Sequence, residues 1–368
     1  CRCRNMPEML AAIAFAGRVR CCSASECLLG GVRAWSVAIS WGTGGSVVAY
    51  RTAGTASLGL LVSALIGCSS GSDTADVQGI FDWDALIGAG THAPQTQSFH
   101  ARDGSTLFYR SYGEPASIDL ILIHGSGAES TYLSSLAAEI SRSGVSRVWT
   151  PDVRGHGASP ARRGDIDYID QLEDDLADLI LWIRSMNPRG VVVVGGHSSG
   201  GGLAIRFAGG AHSGMADGYV LLAPFLQYDA PTVRPDAGGW AMPRTSRIVG
   251  LNILNAMGVQ RFNGWTVLEF NLPFARRTGN DTLAYSYRLM EGFAPRNYVS
   301  DLHALEKPTL VLAGLGDEAF FAEQFPVVFG AFAPHARVEL MPDATHLGLL
   351  SDTGLPQRVV QWLDRVWP

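Results

Sequence analysis

The chain has 368 residues, 47% of them hydrophobic, with 43 glycines and a formal net charge of −6. That length admits one α/β domain with an insertion, and the apolar fraction supports a sizeable core and excludes a disordered chain. The negative balance gives no electrostatic footing for a nucleic-acid partner. The cysteines are Cys1, Cys3, Cys21, Cys22, Cys27 and Cys68, and none lies beyond Cys68. The body of the chain therefore has neither a disulfide framework nor cysteine ligands for a metal.

Residues 1–46 show no convincing periodicity and are expected to have no folded role; Cys1 and Cys3 lack companions at metal-finger spacing. Residues 47–68 read as an export signal. One positive charge, Arg51, precedes an apolar run from Ala53 to Ile66, followed by Gly67 and Cys68. A run of about 14 residues is too short to span a bilayer but suits the apolar region of a signal peptide. Leu65-Ile66-Gly67-Cys68 resembles the lipobox of bacterial lipoproteins. The resemblance implies cleavage before Cys68, lipidation of that residue, and an exported protein anchored to a bacterial membrane without spanning it. Val47 or Val48 would then correspond to an alternative start. An ordinary secretory signal or a plain apolar helix is the competing reading. Residues 69–97 read as a linker. Its short amphipathic patch (Ile80, Phe81, Trp83, Leu86, Ile87) is expected to pack on the outside of the domain.

From residue 98 strands and helices alternate. Residues 98–104 and 105–113 form two strand-like runs joined by Asp103-Gly104, a hairpin signal. Continuous apolar strands are expected at 118–125, 146–152, 191–194 and 218–224, and helices at 129–143 and 168–184, the latter with Leu172, Leu176, Leu179 and Ile183 at helical spacing. Such alternation predicts a mostly parallel sheet with helices on both faces and a site at the carboxyl ends of its strands.

The most informative stretch is VVVVGGHSSGGG, residues 191–202. It is G-x-S-x-G between a strand and a helix, a nucleophile elbow. Ser198 must sit at the apex of a strained turn, and Gly196 and Gly200 must be small so that strand and helix approach. The bland alternative is a Gly/Ser turn. A phosphate loop is excluded because the Walker lysine is missing, and neither a dinucleotide fingerprint nor an HExxH zinc motif is present. No metal and no cofactor are expected.

With HGSG (124–127), PDVRGHGAS (151–159) and GHSSG (196–200), the chain resembles the α/β-hydrolase family, within it the monoacylglycerol-lipase and lysophospholipase-like branch, over residues 98–368. The resemblance implies a core of 98–224 and 301–368, a helical cap at 225–300 inserted after the sixth strand, and a catalytic order of Ser, acid, His. Asp317, in the loop after strand 309–313, fits the acid, with Glu318 and Asp343 as rivals; His346 fits the base. The resemblance also assigns the oxyanion donors to the backbone N–H groups of Ser126 and Ser199. His124, His156 and His197 are read as structural or loop-shaping residues, and His212 and His303 as surface ones.

The cap is rich in large apolar residues, including Trp240, Ile253, Met257, Trp265 and Phe270. They either line an acyl pocket or pack the cap onto the core. The expected activity is a serine esterase acting on lipid-like or medium-chain acyl esters; a peptidase, amidase or thioesterase with the same triad is the alternative. A non-catalytic binding lipoprotein is the reading from another class.

Overall fold

A computed structural model describes residues 25–29, 32–40, 46–52, 81–86, 93–158, 160–234 and 239–368, in two units that divide after Asp73. In the first unit, β1 (Ser25–Leu29), β2 (Val32–Ser40) and β3 (Ser46–Thr52) pair as an antiparallel meander. These strands fall within residues read from the sequence as a leader and the start of a signal. Val32, Trp35, Val37, Ile39, Val47, Val48 and Tyr50 are strand formers, and here that local preference outweighs the lack of a strict alternating pattern. The signal-like run from Ala53 and the lipobox-like Cys68 lie outside the described residues. Among the described residues, no helix is long and apolar enough to cross a membrane.

The second unit is built on an eight-stranded sheet. Its strands are β4 (Gln97–His100), β5 (Thr106–Tyr112), β6 (Ile118–Ile123), β7 (Ser146–Pro151), β8 (Val191–His197), β9 (Gly218–Leu222), β13 (Thr309–Gly314) and β14 (Arg337–Met341). The spatial order is β14-β13-β9-β8-β6-β7-β5-β4. From β14 through β7 every pair is parallel; β5 and β4 close one edge as the antiparallel hairpin. Every residue of β6 and β13 is buried, as expected of strands covered on both faces.

The helices that flank the sheet are α1 (Ser134–Arg142), α2 (Gln171–Met186), α3 (Ser199–Ala208), α7 (Gln324–Phe332) and α8 (Gly354–Val366). On α2, Leu172, Leu176, Leu179, Ile180 and Ile183 are buried while Leu181 and Met186 face solvent, the stripe its spacing predicts. Arg206 of α3 is 2% exposed and donates to the buried Glu173 of α2 at 2.8 Å, so the helix that follows Ser198 is tied to its neighbour by charge as well as packing.

The insertion is helical only in part. It contains α4 (Thr245–Ala256), α5 (Tyr287–Gly292) and α6 (Tyr298–His303), together with a small antiparallel sheet of β10 (Ala241–Pro243), β11 (Thr266–Phe270) and β12 (Ala284–Ser286). Those strands are three to five residues long, too short to give a readable alternation. Leu251, Val267 and Tyr287 form a small core of their own inside the cap. Val249 and Ile253 on α4 and Met257 just after it face solvent; the helix packs on the cap through Leu251 and does not line the cavity that holds Ser198 and His346.

Candidate active site

Ser198 joins β8 to α3 at φ +54° and ψ −120°, a conformation that costs a non-glycine residue energy and persists only where its surroundings enforce it. The enforcement is local. The Ser198 N–H donates to the Leu222 carbonyl at 3.0 Å, and the Ser198 carbonyl accepts from the N–H groups of Gly202 and Phe225. The flanking glycines are sterically required: a Cβ on Gly200 would lie 2.2 Å from the Ile123 carbonyl oxygen, and one on Gly196 would lie 2.5 Å from the Gly200 carbonyl carbon.

Asp317 follows β13 and His346 follows β14, and the structure brings them together. His346 Nδ1 lies 2.8 Å from Asp317 Oδ2. The other oxygen, Oδ1, accepts from the N–H groups of Ala319 and Phe320, each at 2.8 Å. Both side chains are buried, at 1% and 3% exposure. A carboxylate this well held orients the ring, with Nδ1–H donating to it and Nε2 left as the basic nitrogen. Of the rival acids, Glu318 accepts the backbone N–H of His346 at 2.8 Å and so fixes the loop, not the ring. Asp343 is exposed. The imidazole sits between two aromatic rings: Phe81 stacks on it at 5.1 Å and Phe320 meets it edge-on at 5.1 Å.

Ser198 and His346 line one cavity of about 310 Å³. Ser126 also lines it, while Ser199 opens α3 directly after Ser198 and is not part of the lining. The first N–H groups of a helix have no intrahelical partner, so the Ser199 amide is available as a donor.

Two tyrosines brace the loop that carries Ser126. The Gly125 N–H donates to the Tyr132 hydroxyl at 2.9 Å, and that hydroxyl lies 2.6 Å from His197 Nδ1. The Gly127 N–H donates to the Tyr285 hydroxyl at 2.8 Å, which in turn lies 2.6 Å from His156 Nε2. Each hydroxyl accepts from a glycine and donates to a histidine. The two amides on either side of Ser126 are thereby fixed. Among the described residues, the Ser126 N–H itself has no partner.

The histidines must be neutral to accept. Burial, followed by the charge of a second histidine (His124 for His156, His346 for His197), holds both well below the ordinary imidazole range. Burial also pushes both tyrosine hydroxyls above their usual range, which keeps them protonated as donors. The Nε2 of His197 lies 3.1 Å from the His346 carbonyl oxygen, so the neighbour of Ser198 also ties down the backbone of His346.

Reading the residues by motif identifies His156 as loop-shaping and points His197 away from substrate, though His197 lines the cavity; it has no signal for Tyr132 or Tyr285, the latter standing 158 positions from the glycine it holds. The patch Phe81–Leu86 was expected on the outside of the domain. Instead Phe81, Trp83 and Leu86 line the cavity, together with Trp240 and Leu272 of the cap. Apolar side chains of a linker find their burial in the nearest open apolar concavity, here the mouth above His346. Among the described residues, no group of His, Cys, Asp and Glu is arranged to hold a metal ion.

The fold has close structural counterparts. A soluble variant of monoglyceride lipase from Saccharomyces cerevisiae, in complex with a substrate analog, superposes with a TM-score of 0.55 at 19% identity, over 75% of this chain and 97% of that one. A thermophilic esterase from Thermogutta terrifontis gives 0.52 at 22% identity, over 75% and 100% of the two chains. A monoacylglycerol lipase from Paleococcus ferrophilus gives 0.53 at 19%, over 70% and 98%. At these identities the likeness is one of fold. Comparison with curated protein sequences returns no match. Residues 115–350 match the family described as serine aminopeptidase, S33. With that match over most of the chain, on this sheet and with this elbow, the chain belongs to the serine aminopeptidase S33 family of α/β-hydrolases.

Proposed function

We propose that the protein is a serine esterase acting on lipid-like or medium-chain acyl esters through an acyl-enzyme on Ser198. One observation carries the reading: the buried Asp317–His346 hydrogen bond of 2.8 Å opens onto the same cavity as the strained Ser198. In this reaction the Ser198 hydroxyl attacks the ester carbonyl while His346 Nε2 takes its proton. The tetrahedral oxyanion is held by the N–H groups of Ser126 and Ser199. His346 returns the proton to the departing alkoxide, which leaves as the alcohol. Water, deprotonated by the same nitrogen, then releases the carboxylic acid. The apolar walls and a volume at the low end of small-molecule sites favour one medium-length acyl chain.

The test is a series of p-nitrophenyl esters of increasing chain length, run beside aminoacyl p-nitroanilides. Ser198→Ala is expected to lower kcat by about 10⁴-fold or more. Near-wild-type activity in that variant removes Ser198 as nucleophile; turnover of the anilides with inert esters replaces the esterase reading with the peptidase one. From the lipobox-like sequence we also propose export and anchoring through Cys68. Cys68→Ser should then release the protein from membranes, and unchanged membrane association would refute it.

A further inference from the structure

We infer that the segment Phe81–Leu86 is the specificity-setting wall of the acyl pocket, an inference that rests on Ser198 being an acylated nucleophile. The segment lies ahead of residues 115–350, the part matched to the family, yet three of its six residues line the catalytic cavity. It is a single turn of 3-10 helix, Trp83–Leu86, preceded by Phe81. Phe81 is 7% exposed and covers one face of His346. Trp83 packs edge-on against Phe81 at 5.8 Å and, tilted, against Trp240 of the cap at 5.4 Å. Leu86 continues the apolar surface. Asp84 forms an ion pair with Arg276, which also lines the cavity. The core supplies the reacting groups, while this turn and the cap together close the apolar side of the pocket. Two side chains of the turn, Trp83 and Leu86, line the cavity and so bound the space left for substrate.

A wall residue changes selectivity by the volume it adds or removes, and one methylene in an apolar pocket is worth about 10- to 200-fold. Trp83→Ala should therefore shift the chain-length preference toward longer acyl groups, raising the long-to-short ratio of kcat/KM by about 10-fold or more. Leu86→Phe should move it the other way by a similar factor. Both are made in the full chain, and circular dichroism melts establish that each folds. The same substitutions are read a second way, by the rate at which alkyl fluorophosphonates from ethyl to dodecyl label Ser198. That readout requires a nucleophilic serine but not an ester substrate. Opposite shifts in the two variants bear the inference out. A labelling profile unmoved by both substitutions overturns it while leaving the nucleophile intact. Absence of labelling at Ser198 in the wild type removes the serine-hydrolase reading itself.

Discussion

Replacing Tyr285 with phenylalanine removes one oxygen atom and strands two buried polar groups. The Gly127 N–H loses its acceptor at 2.8 Å and His156 Nε2 its donor at 2.6 Å. Tyr285 is 2% exposed and His156 4%, so water has poor access to either. An unsatisfied buried donor or acceptor costs about 1–3 kcal/mol, which gives about 2–6 kcal/mol for the pair. The ring survives, and with it the contacts to Phe270 and Phe293, so packing loss adds little. We expect about 3 kcal/mol, read as a shift of the urea midpoint at unchanged m-value. The catalytic effect is smaller than deletion of an oxyanion donor, because Ser126 keeps its N–H and loses only its brace. Deletion costs about 10²–10³ in kcat, so a fall of about 10- to 100-fold with little change in KM is expected. A stability change below about 0.5 kcal/mol together with unaltered kcat would refute the bracing argument. A loss of kcat near that of Ser198→Ala would instead place the hydroxyl in the chemistry.

Asp317→Asn should lower kcat by about 10⁴-fold by stabilising the wrong imidazole tautomer, whereas Glu318→Gln, which touches only the His346 backbone N–H, should cost less than about 10-fold in the same ester assay. Gly200→Ala places a methyl 2.2 Å from the Ile123 carbonyl oxygen, so the variant should lose about 3 kcal/mol or more, seen as a lowered thermal midpoint or failure to accumulate as soluble protein. His156 stays neutral in the folded protein well below the pH at which an unfolded histidine gains its proton. The unfolded state thus binds more protons below about pH 6.5, and this stability is present above that pH and lost as pH falls. His156→Gln should flatten the dependence of unfolding free energy on pH between about 6 and 5 by up to about 1.4 kcal/mol per unit; an unchanged slope in denaturant titrations would mean that His156 titrates normally.

The parts of the site legible in the sequence are those whose chemistry is local. A run of four valines followed by G-x-S-x-G is a strand, a strained turn and a helix whatever lies around it. Asp317 and His346 each follow a β-rich run, and a parallel sheet brings the ends of such runs to one edge. The choice of Asp317 over Glu318 was legible only through the family resemblance, because adjacent acids differ only in the direction their side chains take from the turn after β13. The tyrosine braces were invisible for a different reason: each joins segments far apart in the chain, Tyr132 to His197 and the cap residue Tyr285 to Gly127 and His156, and no periodicity encodes such pairings. The strap at Phe81 fell to the same problem. Its apolar residues were plain, but whether they cover the outside of the domain or its active-site mouth depends on where the chain has been led.

The cap strand β12 bears on how substrate reaches Ser198. Gly127 is gripped from the cap twice: its N–H donates to the Tyr285 hydroxyl, and its carbonyl accepts the Thr282 N–H at 3.0 Å. The Ser286 N–H, at the end of the same strand, donates to the Gly164 carbonyl of the core at 2.8 Å. A cap that rose as one body would break all three bonds and release the oxyanion loop each time substrate entered. Glycines on both sides of Ser126 would then let that loop relax, and the donor would have to be reordered before every turnover. The economical arrangement keeps β12 docked and leaves entry to the side walled by Trp83, Leu86 and Leu272, where apolar contacts and one solvent-exposed ion pair, Asp84–Arg276, separate and re-form at little cost. With the roles proposed for Ser126 and the strap, this geometry would keep the oxyanion site assembled between turnovers and leave substrate size to be read on the strap side.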